Sequence, residues 1–228
     1  MKKLSLIFGI AFFATALLTS CKDESGVFVE QLYTNAQKET AIKECLKTSA
    51  DSAVNHLCKA DGFYGTSYRI DYSPLQNSLI DTLSRHGYGD MVDSLILFTN
   101  RLAESCGGQI LPALKTAIDS LSITDYDALI NGGHNAITQY FSLLKHNYLN
   151  SAFQTPVSVR MNLYGVNETW SGMLQQYYHY STVPLNFDLQ NYIVEKMLDD
   201  VLQEMGVEEG LIRTDSTHRN EKTALLGK

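Results

Sequence analysis

Three signatures of common chemistry are missing from this chain. It has no CxxC pair, which argues against structural zinc or a thioredoxin-like redox site. It has no HExxH, and the six histidines (His56, His86, His134, His146, His179 and His218) include no pair at i, i+4, which argues against a zinc hydrolase. There is no G-x-S-x-G, and no cysteine stands in a known pattern with a histidine, so an activated nucleophile has no signature. Positive charge is also scarce. The 18 basic residues include Lys2 and Lys3 of a leader, and the remainder faces 25 acidic residues, giving −9. An acidic surface of this kind disfavours nucleic acid and electrostatic docking on anionic lipid. The pattern implies no cofactor and no metal.

The strongest positive signal lies at the start. Lys2 and Lys3 precede an apolar run from Leu4 to Leu18, which is too short for a typical spanning helix and suits a signal peptide. The run ends in Leu18-Thr19-Ser20-Cys21, similar to a bacterial lipobox. Cleavage before Cys21 would leave a lipidated first residue, so residues 1–20 read as signal peptide and 21–27 as tether. Two or more acyl chains hold a protein stably on a membrane. Lys22-Asp23-Glu24 is similar to the export signal of some surface lipoproteins. The expected location is therefore the outer membrane facing the cell exterior, with a periplasm-facing protein as the alternative. Export also permits one disulfide among Cys45, Cys58 and Cys106, or three free thiols.

Beyond the tether, residues 28–228 read as one all-α domain of about eight helices. Helical spacing runs from Phe28 to Leu57, as one helix or two joined near Lys38. Ser73-Pro74 starts a helix, with Ser73 as N-cap. Asp90 opens the next, which Gly107-Gly108 stop, and Ile110 to Leu121 form another. Thr124 and Asp127 have capping-box spacing, and Gly132-Gly133 suit the positive φ that ends a helix. A helix then reaches about Tyr148. Val157, Val159, Met161 and Leu163 alternate as in a strand, but a lone strand has no partner, so 152–164 reads as helix. Asn167 and Asp188 cap the last two helices, and Gly206 and Gly210 weaken the final one. Ala224-Leu225-Leu226 could dock the tail.

Four stretches together resemble the bacterial domain-of-unknown-function family 4197. They are Asn100-Arg101-Leu102-Ala103-Glu104, the Thr124–Phe141 run around Gly132-Gly133, Tyr192 to Asp199, and Glu208-Glu209-Gly210-Leu211-Ile212-Arg213. The chain departs from the family pattern at His134-Asn135, where acidic residues are usual, and at Val207 and Ser216. The resemblance implies an exported, mainly helical protein and carries no activity with it.

The candidate polar cluster is Asn100, Arg101, Glu104, Thr138, Tyr140, Lys196, Glu208, Glu209 and Arg213. Arg101 and Glu104 share a helix face within an apolar stretch, as a buried structural ion pair would. Thr138 and Tyr140 are expected to face that helix, with the terminal-helix charges as partners across the bundle. Backbone N–H groups at Gly132-Gly133 could instead receive an anion. Trp170 and Tyr177 read as core, and Tyr178 and Tyr180 as possible groove residues. The expected function is a non-catalytic binding or structural accessory module, bound to the membrane through Cys21, with a protein or glycan partner undefined. The alternative is an enzyme whose carboxylate site uses Glu104, Glu208 and Glu209.

Overall fold

The computed structural model describes residues 33–227, which contain eight α-helices and no strand. The signal peptide, Cys21, the tether and the Phe28 and Leu32 turns fall outside the described residues. Helix α1 (Asn35–Leu57) begins at a capping box, in which Thr34 Oγ1 accepts from Gln37 N–H and Gln37 Oε1 accepts from Thr34 N–H. Its buried stripe runs through Ile42, Cys45, Leu46, Ala50, Ala53, Val54 and Leu57, spaced three and four apart.

Four helices close a ring. α1 packs on α8 (Leu189–Thr214), α8 on α6 (Ala136–Leu163), α6 on α4 (Gly107–Asp119), and α4 back on α1. A second layer is built from α2 (Asp81–Arg85), α3 (Gly89–Glu104) and α7 (Val166–Tyr180), while short α5 (Tyr126–Ile130) lies against α1 and α6. Each fully buried Leu or Ile in this core contributes about 1.5–3 kcal/mol.

The alternation at 157–163 is helical after all. Val157 and Met161 are buried, four residues apart, while Val159 and Leu163 point to solvent. Helix α6 therefore does not stop near Tyr148 but runs on through Pro156. An interior proline costs about 3 kcal/mol. Buried Phe153, Val157 and Met161 on either side of it offset that cost. Arg160 adds a tie from α6 to the α3–α4 junction, donating from Nε to Ser105 O at 3.1 Å and from Nη2 to Gln109 Oε1 at 2.6 Å.

Several boundaries differ from expectation. Gly107-Gly108 open α4 instead of stopping α3, and Gly107 packs closely on α1's end, where a Cβ would lie 2.8 Å from Cys58 Cβ. Ser73 caps nothing: 73–75 form a 3-10 turn and Gln76–Ile80 a π-helical turn before α2. Asp125, not Thr124, caps α5 by accepting from Ala128 N–H at 2.9 Å. Gly165, at φ +73°, precedes α7 in place of an Asn167 cap. Among the described residues the left-handed glycines are Gly87 and Gly165, not Gly132 and Gly133. Ala224–Leu226 does form a short turn with Leu226 buried. Cys45, Cys58 and Cys106 are free thiols. Burial pushes Cys45 and Cys58 up to about 12 and Cys106 up to about 11.

Candidate functional site

The nine candidate polar residues do not form one cluster. Most of them join two separate latches, each made of a glutamate, an arginine and borrowed backbone groups.

The first latch is on α8. Glu209 is fully buried and Arg213 is 1% exposed, with Arg213 Nη2 to Glu209 Oε1 at 2.8 Å and Nε at 3.0 Å. Glu209 Oε1 also accepts from Ile137 N–H at 3.0 Å, and Oε2 accepts from Thr138 N–H at 2.7 Å and Thr138 Oγ1 at 2.8 Å. These are first-turn amides of α6, for which Asn135 supplies no side-chain cap. The arginine serves the opposite pole: Nη1 donates to Ile130 O at 2.9 Å and Nη2 to Leu129 O at 2.8 Å, the last carbonyls of α5. A carboxylate thus sits at a helix N-terminus and a cation at a helix C-terminus, the favourable pairing for both dipoles. The chain's own Glu209 occupies the N-terminus of α6, on the amides of Ile137 and Thr138. Thr138 belongs to this latch, not to the Arg101–Glu104 helix.

Gly206 and Gly210 make room for it. They do not end α8, which continues to Thr214. A Cβ at Gly210 would lie 1.7 Å from His134 Cε1, and one at Gly206 would lie 3.3 Å from Asn135 Cβ. The His134-Asn135 turn therefore lies directly on the helix.

The second latch is on α3 and holds residues 61–72. Asn100 accepts from Ile70 N–H at 2.9 Å and donates to Ile70 O at 2.9 Å, copying with one amide the pairing a neighbouring strand would give. Tyr72 Oη and Thr99 Oγ1 share a hydrogen bond of 2.6 Å. Glu104 Oε1 accepts from Phe63 N–H at 3.3 Å and Tyr64 N–H at 3.1 Å, while Oε2 accepts from Arg101 Nη1 at 2.7 Å. Arg101 Nη2 reaches Asp61 Oδ1 at 2.7 Å, and its guanidinium lies over the Tyr64 ring, 5.2 Å from the centroid. Hydrogen bonds that Arg101 donates to Glu104 and Asp61 hold its guanidinium above its ordinary range. Its side chain is 34% exposed and lines, with Asp61, Phe98 and Tyr164, a cleft of about 640 Å³.

The remaining candidates lie elsewhere. Tyr140 Oη donates to Ser122 O at 2.8 Å. Glu208 accepts from Ser52 Oγ at 3.0 Å and meets His218 Nδ1 at 2.8 Å, which raises the His218 pKa. Lys196 stands one turn before Asp200 and opposes the rise in that carboxyl's pKa. Tyr177 is buried and Trp170 packs on Phe187, whereas Tyr178 and Tyr180 are exposed, Tyr180 stacking on His86.

Sequence reading missed two groups. In one, Glu204 meets His56 Nδ1 at 2.5 Å and accepts from Tyr68 Oη at 2.6 Å. One turn earlier, buried Asp200 has an Oδ2 without a hydrogen-bond partner, and burial pushes its carboxyl up to about 7. A long polar spacing on α8 was the available signal. The other group is His146, Glu195 and Asp199, whose ligand atoms lie within 4.8 Å of one another. Among the described residues no helix is long and apolar enough to cross a membrane.

Comparison with curated proteins finds no match, and comparison with solved structures finds none. A family model does match, over residues 32–228, which takes in both latches: the chain belongs to the family described as Protein of unknown function (DUF4197).

Proposed function

We propose that this chain is a lipid-anchored cell-envelope protein whose helical domain acts as a non-catalytic binding or structural accessory module. The observation that carries the reading is the employment of Glu104 and Glu209, two of the three buried acids among the described residues. Glu209 and Glu104 each hold two backbone N–H groups and an arginine, so their oxygens are committed to holding helices and a loop in place. A catalytic acid or base needs a lone pair or proton directed at a substrate. The enzyme alternative would require Glu104, Glu208 and Glu209 to converge, and their hydrogen-bond partners have no residue in common. The anchor rests on Cys21 behind the Leu4–Leu18 run, and outer-surface display rests on Lys22-Asp23-Glu24.

Two experiments test this. Cells fed a palmitate analogue should label the wild type and not Cys21→Ala, and the variant should leave the membrane fraction; label retained in the variant overturns the anchor. Protease added to intact cells should remove the native protein, and protection would contradict surface display. For the non-catalytic role, an envelope defect of a deletion strain should be restored by Glu104→Gln or Glu208→Gln at wild-type protein level. Failure of folded, fully expressed variants to restore it overturns the reading in favour of the enzyme.

A further inference from the structure

Helices α6 and α8 run antiparallel. Position 138 of α6 meets 209 of α8, 150 meets 195, and 154 meets 190 and 191. Near the middle of that seam His146 of α6 faces Glu195 and Asp199 of α8. Its Nε2 lies 3.4 Å from Glu195 Oε2 and 3.9 Å from Asp199 Oδ1. We propose that these three side chains form a binding site for a divalent first-row transition metal ion of the Zn²⁺ or Mn²⁺ class.

The donor set is one imidazole nitrogen and two carboxylate oxygens, which suits a borderline-to-hard divalent ion. Bonds of about 2.0–2.2 Å at tetrahedral or octahedral angles separate neighbouring donors by roughly 3.0–3.5 Å. The His146–Glu195 pair already has that separation, and the His146–Asp199 pair needs to close by about half an ångström. The backbone need not move, because all three side chains are 34% exposed or more.

Two features beyond proximity point to an ion. Glu195 and Asp199 are like charges four apart on one helix, an arrangement that destabilises a helix unless a cation neutralises it. Among the described residues neither makes an ion pair with a lysine or an arginine; their cationic partner is His146, which is charged only when protonated. The other oxygen of Glu195 is held as well. Asn150 Nδ2 donates to Oε1 at 2.5 Å, Gln154 Nε2 donates to Asn150 Oδ1 at 3.2 Å, and Gln190 Nε2 donates to Gln154 Oε1 at 2.7 Å. This chain of amides orients Glu195 Oε2 towards His146, as second-sphere partners orient metal ligands. Asp199 also lines a cleft of about 440 Å³ with Ser142, Gln139 and Gln203, which leaves room for water or a small anionic ligand on the ion's open positions.

The inference is independent of the accessory role. The test uses the full chain in detergent, without a histidine tag and stripped of metal by chelation. Calorimetric titration with Zn²⁺ should give one equivalent bound, more weakly as pH falls, since the imidazole must be neutral to ligate. His146→Gln should weaken binding at least tenfold. Asn150→Ala, a positioning change, should weaken it about 10–100-fold, with the metal-free thermal midpoint unchanged. His86→Gln, at the end of α2 and stacked on Tyr180, should bind as the wild type does. Wild-type affinity in His146→Gln overturns the site. Absence of binding by the folded wild type overturns it too.

Discussion

Glu209 and Glu104 each hold two backbone amides and one arginine, yet water treats them differently. On α8 both partners are closed off, Glu209 at 0% and Arg213 at 1% exposure. On α3 the glutamate is buried, but Arg101 rims a cleft and leans on exposed Asp61. A buried charge pair has a large desolvation cost, and removing one partner leaves the other uncompensated. A pair open to water interacts through a high dielectric and contributes little. The same residue types three or four apart on a helix therefore make a lock in one place and an adjustable contact in the other. The lock joins α5, α6 and α8; the contact positions residues 61–72 beside the larger cleft.

The largest effect expected from this contrast is at the lock. Arg213→Met should leave Glu209 charged and buried and cost about 3–5 kcal/mol in urea unfolding. A loss below about 1 kcal/mol would put the two latches in the same class. Next is the loop that the α3 latch holds. A Cβ at Gly62 would lie 2.3 Å from Leu57 O and 2.6 Å from His56 O, both backbone atoms that cannot swing aside. Gly62→Ala should cost about 1–3 kcal/mol. Gly210→Ala should cost far less, because its obstacle is the exposed His134 ring, which can turn away.

Asp200 sharpens the contrast from a third direction, as a buried acid with no arginine. Its carboxyl is raised to about 7 by burial, with Asp199 adding and Lys196 opposing. An unfolded aspartate titrates near 3.9. Between those values the folded chain keeps a proton that the unfolded chain loses, so stability falls as pH rises from about 4 to about 7 and is level above. Asp200→Asn should flatten that slope and gain on the order of 1–3 kcal/mol at about pH 8, with little gain near pH 4. A wild-type melting midpoint that rises over that interval relative to the variant would contradict the assignment. The smallest effect belongs to Arg101→Ala, at most about 1 kcal/mol and smaller still in high salt.

How much of this was readable in the sequence depended on range. The helices with a clear apolar stripe, α1, α3 and α8, were legible because i, i+3 and i+4 spacing is local. Asn100, Glu104 and Glu209 were all among the candidate polar residues, and all three are buried. Their partners were not legible. Glu209 caps a helix that begins more than seventy residues earlier, and Asn100 pairs with Ile70 thirty residues before it. The helix end expected near Tyr148 is absent because buried Phe153 and Val157 carry α6 on through Pro156. Gly206 and Gly210 read as weakening the last helix because nothing local reveals that His134 and Asn135 need their surface. His146 read as one of six scattered histidines until α6 and α8 were placed side by side.

The most direct measurement is a pair of double-mutant cycles in urea, Glu209→Gln with Arg213→Met and Glu104→Gln with Arg101→Met. The account predicts a coupling above about 2 kcal/mol on α8, where both charges are buried, and below about 1 kcal/mol on α3, where water reaches the arginine. Equal couplings, or a larger one on α3, would contradict the claim that burial makes the Glu209–Arg213 pair the lock of this fold.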